Sequence, residues 1–171
     1  MARGPRRSYA PITKNDLRKL AAITIADNRD FFRRNAAIGR YYRNRLLCVA
    51  LCQGAALHYV DGEIGIKDFD LWSFFAEHPA DRYPPRRHAT ADFGSSKFGR
   101  PRADFEYQGR RVDLLGRSLP VRPAADAVEA VLLYLLTAKT KSARELRREA
   151  VMFIDPPELL GAIVWPPGLA R

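Results

Sequence analysis

The sequence predicts an α/β protein (α+β), a strand-bearing centre flanked by N-terminal and C-terminal helices. Three observations carry that expectation. The run LLCVALC, residues 46–52, is apolar throughout and short, and reads as a strand. IKDFDLWSFFA, residues 66–76, and the stretch around Val112, Leu114 and Leu115 read as further strands. On either side, residues 14–42 and 124–163 show capping signals and apolar residues at helical spacing. The length suits one domain over 1–171, with a helical lead-in at 1–42, a core at 43–120 and C-terminal helices at 121–171.

Taken in order, the basic residues 1–12, MARGPRRSYAPI, are expected to be poorly ordered. Thr13 and Asp16 resemble a capping box for a helix over about 14–26, with Leu17, Leu20, Ala21 and Thr24 on its buried stripe. Asp27, Asn28 and Asp30 are expected to break it before a second helix at about 31–42. EHPADRYPPRR, residues 77–87, reads as a loop, and His78 and His88 read as surface residues without metal-ligand partners. ATADFGSSKFGRPR reads as a flexible Gly/Ser loop whose Ser96 and Lys97 can approach a phosphate, without the spacing of a P-loop. A β-hairpin is expected next, with Phe105 and Tyr107 on one arm, Gln108-Gly109 at the turn and Val112–Leu115 on the other. The rest reads as three helices, over about 124–138, 143–153 and 155–163.

Composition narrows the chemistry. With 47% apolar and 28% charged residues the chain is expected to be globular and soluble rather than disordered. Its 29 Lys and Arg against 19 Asp and Glu give +10, which favours polyanions such as nucleic acid or a nucleoside triphosphate; an Arg-rich composition accounts for the excess equally well. Cys48 and Cys52 lie four apart on one strand, too far to bond, and read as buried reduced thiols. No apolar stretch of about 18 residues occurs, so no membrane partner is expected and the location is expected to be cytoplasmic.

The chemistry concentrates in the acids. On a strand Asp68 and Asp70 project together, beside Ile66 and Trp72, with Phe69 and Leu71 opposite. Two carboxylates on one face repel and are costly to bury, and Mg2+ or Mn2+ relieves both problems. Asp113, between Val112 and Leu114, needs a partner as well. It can pair with Arg110, Arg111 or Arg117, or converge on Asp68 and Asp70 as a third metal ligand. A metal-dependent nuclease is a further option for an acid cluster on a basic chain, although no Glu-x-Lys follows an acid on the next strand.

The ordered set of LLCVALC, the turn Gln53-Gly54-Ala55-Ala56, Asp68-x-Asp70 and then Asp113 resembles the nucleotidyltransferase superfamily related to DNA polymerase beta, in its small, minimal form. The resemblance covers about residues 45–117. It implies a small mixed β-sheet and transfer of a nucleoside monophosphate from an NTP, ATP among the candidates, to RNA, tRNA or a protein, the acceptors of the family's modifying toxins. It further implies that Asp68, Asp70 and Asp113 are the metal-binding and catalytic acids, and that Gly54 and Ala55 hold phosphates, with Ser96 or Lys97 assisting. The family usually has Ser where this chain has Ala55. That departure leaves, as the alternative, a catalytically inactive protein of the same fold that binds nucleic acid or a protein partner.

Overall fold

The fold is a six-stranded mixed sheet with helices on both faces. A computed structural model describes residues 6–83, 87–102 and 104–169. The elements run α1 (Lys14–Arg34), α2 (Ala36–Tyr42), β1 (Leu46–Cys52), α3 (Gln53–Asp61), β2 (Phe69–Ala76), β3 (His88–Asp92), β4 (Arg111–Leu119), α4 (Ala127–Thr137), α5 (Lys141–Leu146), β5 (Val151–Asp155), a 3-10 turn (Pro157–Leu159) and β6 (Ile163–Trp165). Spatial order is β3-β4-β2-β1-β5-β6. Among the described residues only β2 and β4 pair in parallel, and the other pairings are antiparallel. Among the described residues no helix is long and apolar enough to cross a membrane.

The unbroken apolar character of β1 follows from its place in mid-sheet, covered on both faces. Val49 and Leu51 enter one buried cluster with Leu17, Leu20 and Ala56, under α1 and α3. Cys48, Ala50 and Cys52 enter the other, with Val131, Leu135 and Leu146 from α4 and α5. Both cysteines are free and buried, and burial pushes their thiols up, keeping them protonated. A third, aromatic cluster of Phe32, Tyr42, Phe75 and Tyr83 joins the end of α1 and α2 to the sheet.

Several elements differ from expectation, each for a physical reason. The Thr13–Asp16 capping box forms, but α1 continues through Asp27 and Asn28 to Arg34. The helix penalty of Asp or Asn is only about 0.7 kcal/mol each. Tertiary bonds outweigh it: Asp27 pairs with Arg87, and buried Asn28 donates to Ser73 Oγ at 2.8 Å. The hairpin partner of β4 is His88–Asp92 rather than Phe105–Tyr107. Asp92 accepts from the backbone N–H of Gly94, Gln108 and Gly109, closing the intervening loop at both ends. The C-terminal region is not wholly helical. Residues 151–155 and 163–165 are strands, because β1 has a second edge to satisfy and β5 takes it. Residues 6–12 are held as well: Ser8 bridges Ile66 through two backbone bonds of 2.8 and 2.7 Å. Residues 1–5 of the basic lead-in and 84–86 of the proline loop lie outside the described residues.

The bond from Asn28 is the polar link between α1 and β2, so Asn28→Ala is expected to destabilise by about 1–3 kcal/mol, since it orphans a buried hydroxyl. Urea unfolding reads the loss, and adding Ser73→Ala should recover most of it. Equal losses in the single and double variants would show that the bond is not the cause.

Candidate metal centre

Parallel register sets Asp70 of β2 beside Asp113 of β4. Partners at one register position project from the same face, with the two backbones about 4.8 Å apart. Asp68 precedes β2 by one residue, and its chain bends there: Ile66 joins the cluster with Phe69 and Leu71 rather than the face of Trp72. One carboxylate oxygen from each of Asp68, Asp70 and Asp113 lies within 4.8 Å of the others. The three acids singled out in the sequence therefore converge.

Their charge is unevenly met. Burial, then Asp68 and Asp113, with a smaller push from Glu149, raise the Asp70 carboxyl from 3.8 to about 7 against the pull of Lys67. Burial also raises Asp68, opposed by Lys67, whose Nζ lies 3.8 Å from Oδ2. Asp113 is only 6% exposed and is strongly partnered. Its Oδ1 accepts from Arg111 Nε at 2.9 Å and Nη2 at 2.7 Å, and His88 Nε2 stands 2.9 Å away. Asp113 thus meets both sequence expectations, an arginine pair and a place in the cluster. All three bonds fall on Oδ1. His88 is exposed, as expected, but it is partnered; the bond is invisible without knowing that residues 88–92 form β3 against β4.

The phosphate-turn residues are placed more selectively. β1 breaks into α3 at Gln53, which adopts φ 60° and donates its N–H to Ala150 O. A positive φ in a non-glycine residue is strained, and here it turns the chain abruptly from strand to helix. Cys52 makes no side-chain cap and the first turn has no acid of its own. Gly54 and Ala55 share a cavity of about 310 Å3 with Asp68 and Asp70. The Ala55 side chain is 2% exposed and packs into the first apolar cluster. Any polar contribution at that position is therefore from its backbone. Ser96 and Lys97 are not brought to this cavity. Lys97 Nζ pairs with Asp16 at 2.8 Å, and Ser96 Oγ accepts from Phe98 N–H.

Four residues of the cavity carry no signal in the sequence: Arg7, Gly65, Lys67 and Glu149. Arg7 belongs to the segment expected to be unordered, and its Nη1 donates to the carbonyls of Ile64 and Gly65. Glu149 falls within the helix expected over 143–153, whereas it precedes β5 and stands beside the start of α3. A Cβ at Gly54 would lie 3.4 Å from Glu149 Oε2.

Three convergent carboxylates offer hard oxygen donors that could hold a metal ion. No family model matches the chain, and no curated protein or solved structure matches it.

Because its folded pKa of about 7 exceeds the ordinary 3.8, Asp70 favours the folded state most strongly below pH 4, and that contribution is lost as pH rises through 7. Chelator-treated protein is expected to lose thermal stability between pH 5 and 8, with each kcal/mol worth about 2–4 °C in Tm. Asp70→Asn should flatten that slope, and Mn2+ should raise Tm more at pH 8 than at pH 5.5. A wild-type slope retained in Asp70→Asn would remove the buried acid as its source.

Proposed function

We propose that the chain is a metal-dependent nucleotidyltransferase, moving a nucleoside monophosphate from an NTP to an acceptor hydroxyl on RNA, tRNA or a protein. The observation that carries the reading is the convergence of Asp68, Asp70 and Asp113 beside the uncapped N-terminus of α3, with Asp68 and Asp70 in the same cavity as Gly54. Asp68, Asp70 and Asp113 would hold the cation, which when bound neutralises phosphate charge and lowers the barrier at the reacting phosphorus.

The remaining work falls to the chain itself. Backbone N–H groups of Gly54 and Ala55 point along the α3 axis, where they can donate to phosphate oxygens. Arg7 and Lys67 supply positive charge at the same cavity. In the transfer, the acceptor oxygen bonds to the α-phosphorus, the α–β bridging bond breaks and pyrophosphate departs. The acceptor's proton passes to a carboxylate. Asp70 is the freer carboxylate for it, since Asp113 already spends Oδ1 on Arg111 and His88.

One observation favours the second reading, a non-catalytic protein of the same kind that binds nucleic acid or a protein. Glu149 brings a negative charge to Gly54, where a phosphate would dock. The two readings separate with radiolabelled NTPs, Mg2+ and a cellular mixture of RNA and protein. Transfer by the wild type is expected, reduced by about 10²–10³-fold or more in Asp70→Ala. Glu149→Gln tests the alternative: tighter NTP binding without transfer supports the non-catalytic reading. Failure of all four NTPs to label any acceptor would overturn the enzyme.

A further inference from the structure

A second cavity, of about 410 Å3, opens between β4, the segment after it and α4. Its size falls within the range of small-molecule sites, about 300–1,000 Å3. Leu119, Val121 and Leu133 form much of its wall, and Arg117, Tyr134 and Thr140 bring polar groups to it. It has no lining residue in common with the cavity of the acid cluster. Arg117 follows Asp113 by four residues on β4, a separation of about 13 Å.

The arginine is what makes this cavity more than a void. Arg117 Nη1 donates to the hydroxyls of Tyr134 and Thr140, the latter at 3.2 Å, and the guanidinium lies over the Tyr134 ring, 4.8 Å from its centroid. Those partners are neutral. Among the described residues no carboxylate pairs with Arg117, whereas Arg111, Arg87 and Arg33 each take one. The acid on the cavity wall, Glu77, is engaged by Arg82 at 3.0 Å. Arg117 Nε is buried with no acceptor. A guanidinium set between aromatic and hydroxyl groups, beside apolar walls, recognises an anion that carries an apolar body.

We infer that this cavity binds a small organic anion, with its carboxylate or phosphate on Arg117 and on one of the Tyr134 and Thr140 hydroxyls, the other hydroxyl's proton being spent in the 3.0 Å bond between the two. Its apolar part lies against Leu119, Val121 and Leu133. The inference is independent of the metal site and of nucleotidyl transfer.

The test is a titration of isotope-labelled protein with octanoate, octyl phosphate and octanol, following backbone amide shifts by NMR. Saturable binding of at least one anion is expected, with shifts at Arg117, Leu133 and Thr140 and with octanol weaker by about tenfold or more. Arg117→Gln should reduce the anion to the level of octanol. Leu133 is 58% exposed, so Leu133→Asp leaves the core intact, and its negative charge should weaken the same anion by about tenfold. Whichever anion binds more tightly identifies the headgroup. Equal binding of anion and alcohol would overturn the proposal, as would undiminished affinity in both variants or shifts located away from the cavity.

Discussion

The parallel pairing of β2 with β4 is the constraint on which the rest of this structure depends. Parallel strands need a long crossover, and here it carries β3 and the loop closed by Asp92. The same register sets Asp70 abreast of Asp113, so the pairing that completes the sheet also juxtaposes two like charges. The crossover brings part of the remedy. His88 comes from β3 and Arg111 from β4 itself, and both act on Asp113. Among the described residues nothing comparable reaches Asp70, where the opposing charge is that of Lys67. The charge that remains unmet is therefore concentrated on one residue, at the edge of the cavity beside α3.

A buried arginine fixes how the chain enters that site. Arg110 is 0% exposed, and its Nε donates to Phe98 O at 3.0 Å while Nη1 donates to Lys67 O at 3.0 Å and Arg6 O at 3.3 Å. One guanidinium thus ties the crossover loop, the residue before Asp68 and the N-terminal segment. A buried cation needs such bonds, and charged donors to carbonyls are among the stronger hydrogen bonds. Its position accounts for Asp68 being held near the start of β2, and for Arg7 lying close enough to share the cavity.

How much of this was legible in the sequence depended on whether the signal was local. LLCVALC, the α1 stripe and the Thr13–Asp16 box are contiguous patterns, and each appears where its residues predicted. The acid triad was legible because strand alternation and a third acid on an apolar strand are readable without knowing the partner strand. What was misread depended on distant pairing. VMFID is short enough to suit a helix or a strand, and only the open edge of β1 decides. Glu149, His88 and Arg7 matter through where β5, β3 and the N-terminal bridge place them, and no spacing rule in the sequence encodes that. Lys97 was misjudged for the same reason: a Lys in a Gly/Ser loop resembles a phosphate contact until Asp16 is found opposite it.

Asp113 and Arg117 occupy one face of one strand with opposite charge, yet they do not satisfy one another. Four residues of extended chain separate them by about 13 Å, beyond ion-pair reach. Leu115 lies between them, and Trp72 stands beside it on β2 in the same apolar cluster. That apolar barrier keeps the acid-rich end of the face distinct from its arginine end. At a separation of two residues the pair does form: Arg111, not Arg117, meets Asp113 from the same strand. The spacing instead leaves Arg117 without a carboxylate from its own strand, while Asp70 and Asp113 stay abreast at the other end of the same sheet face.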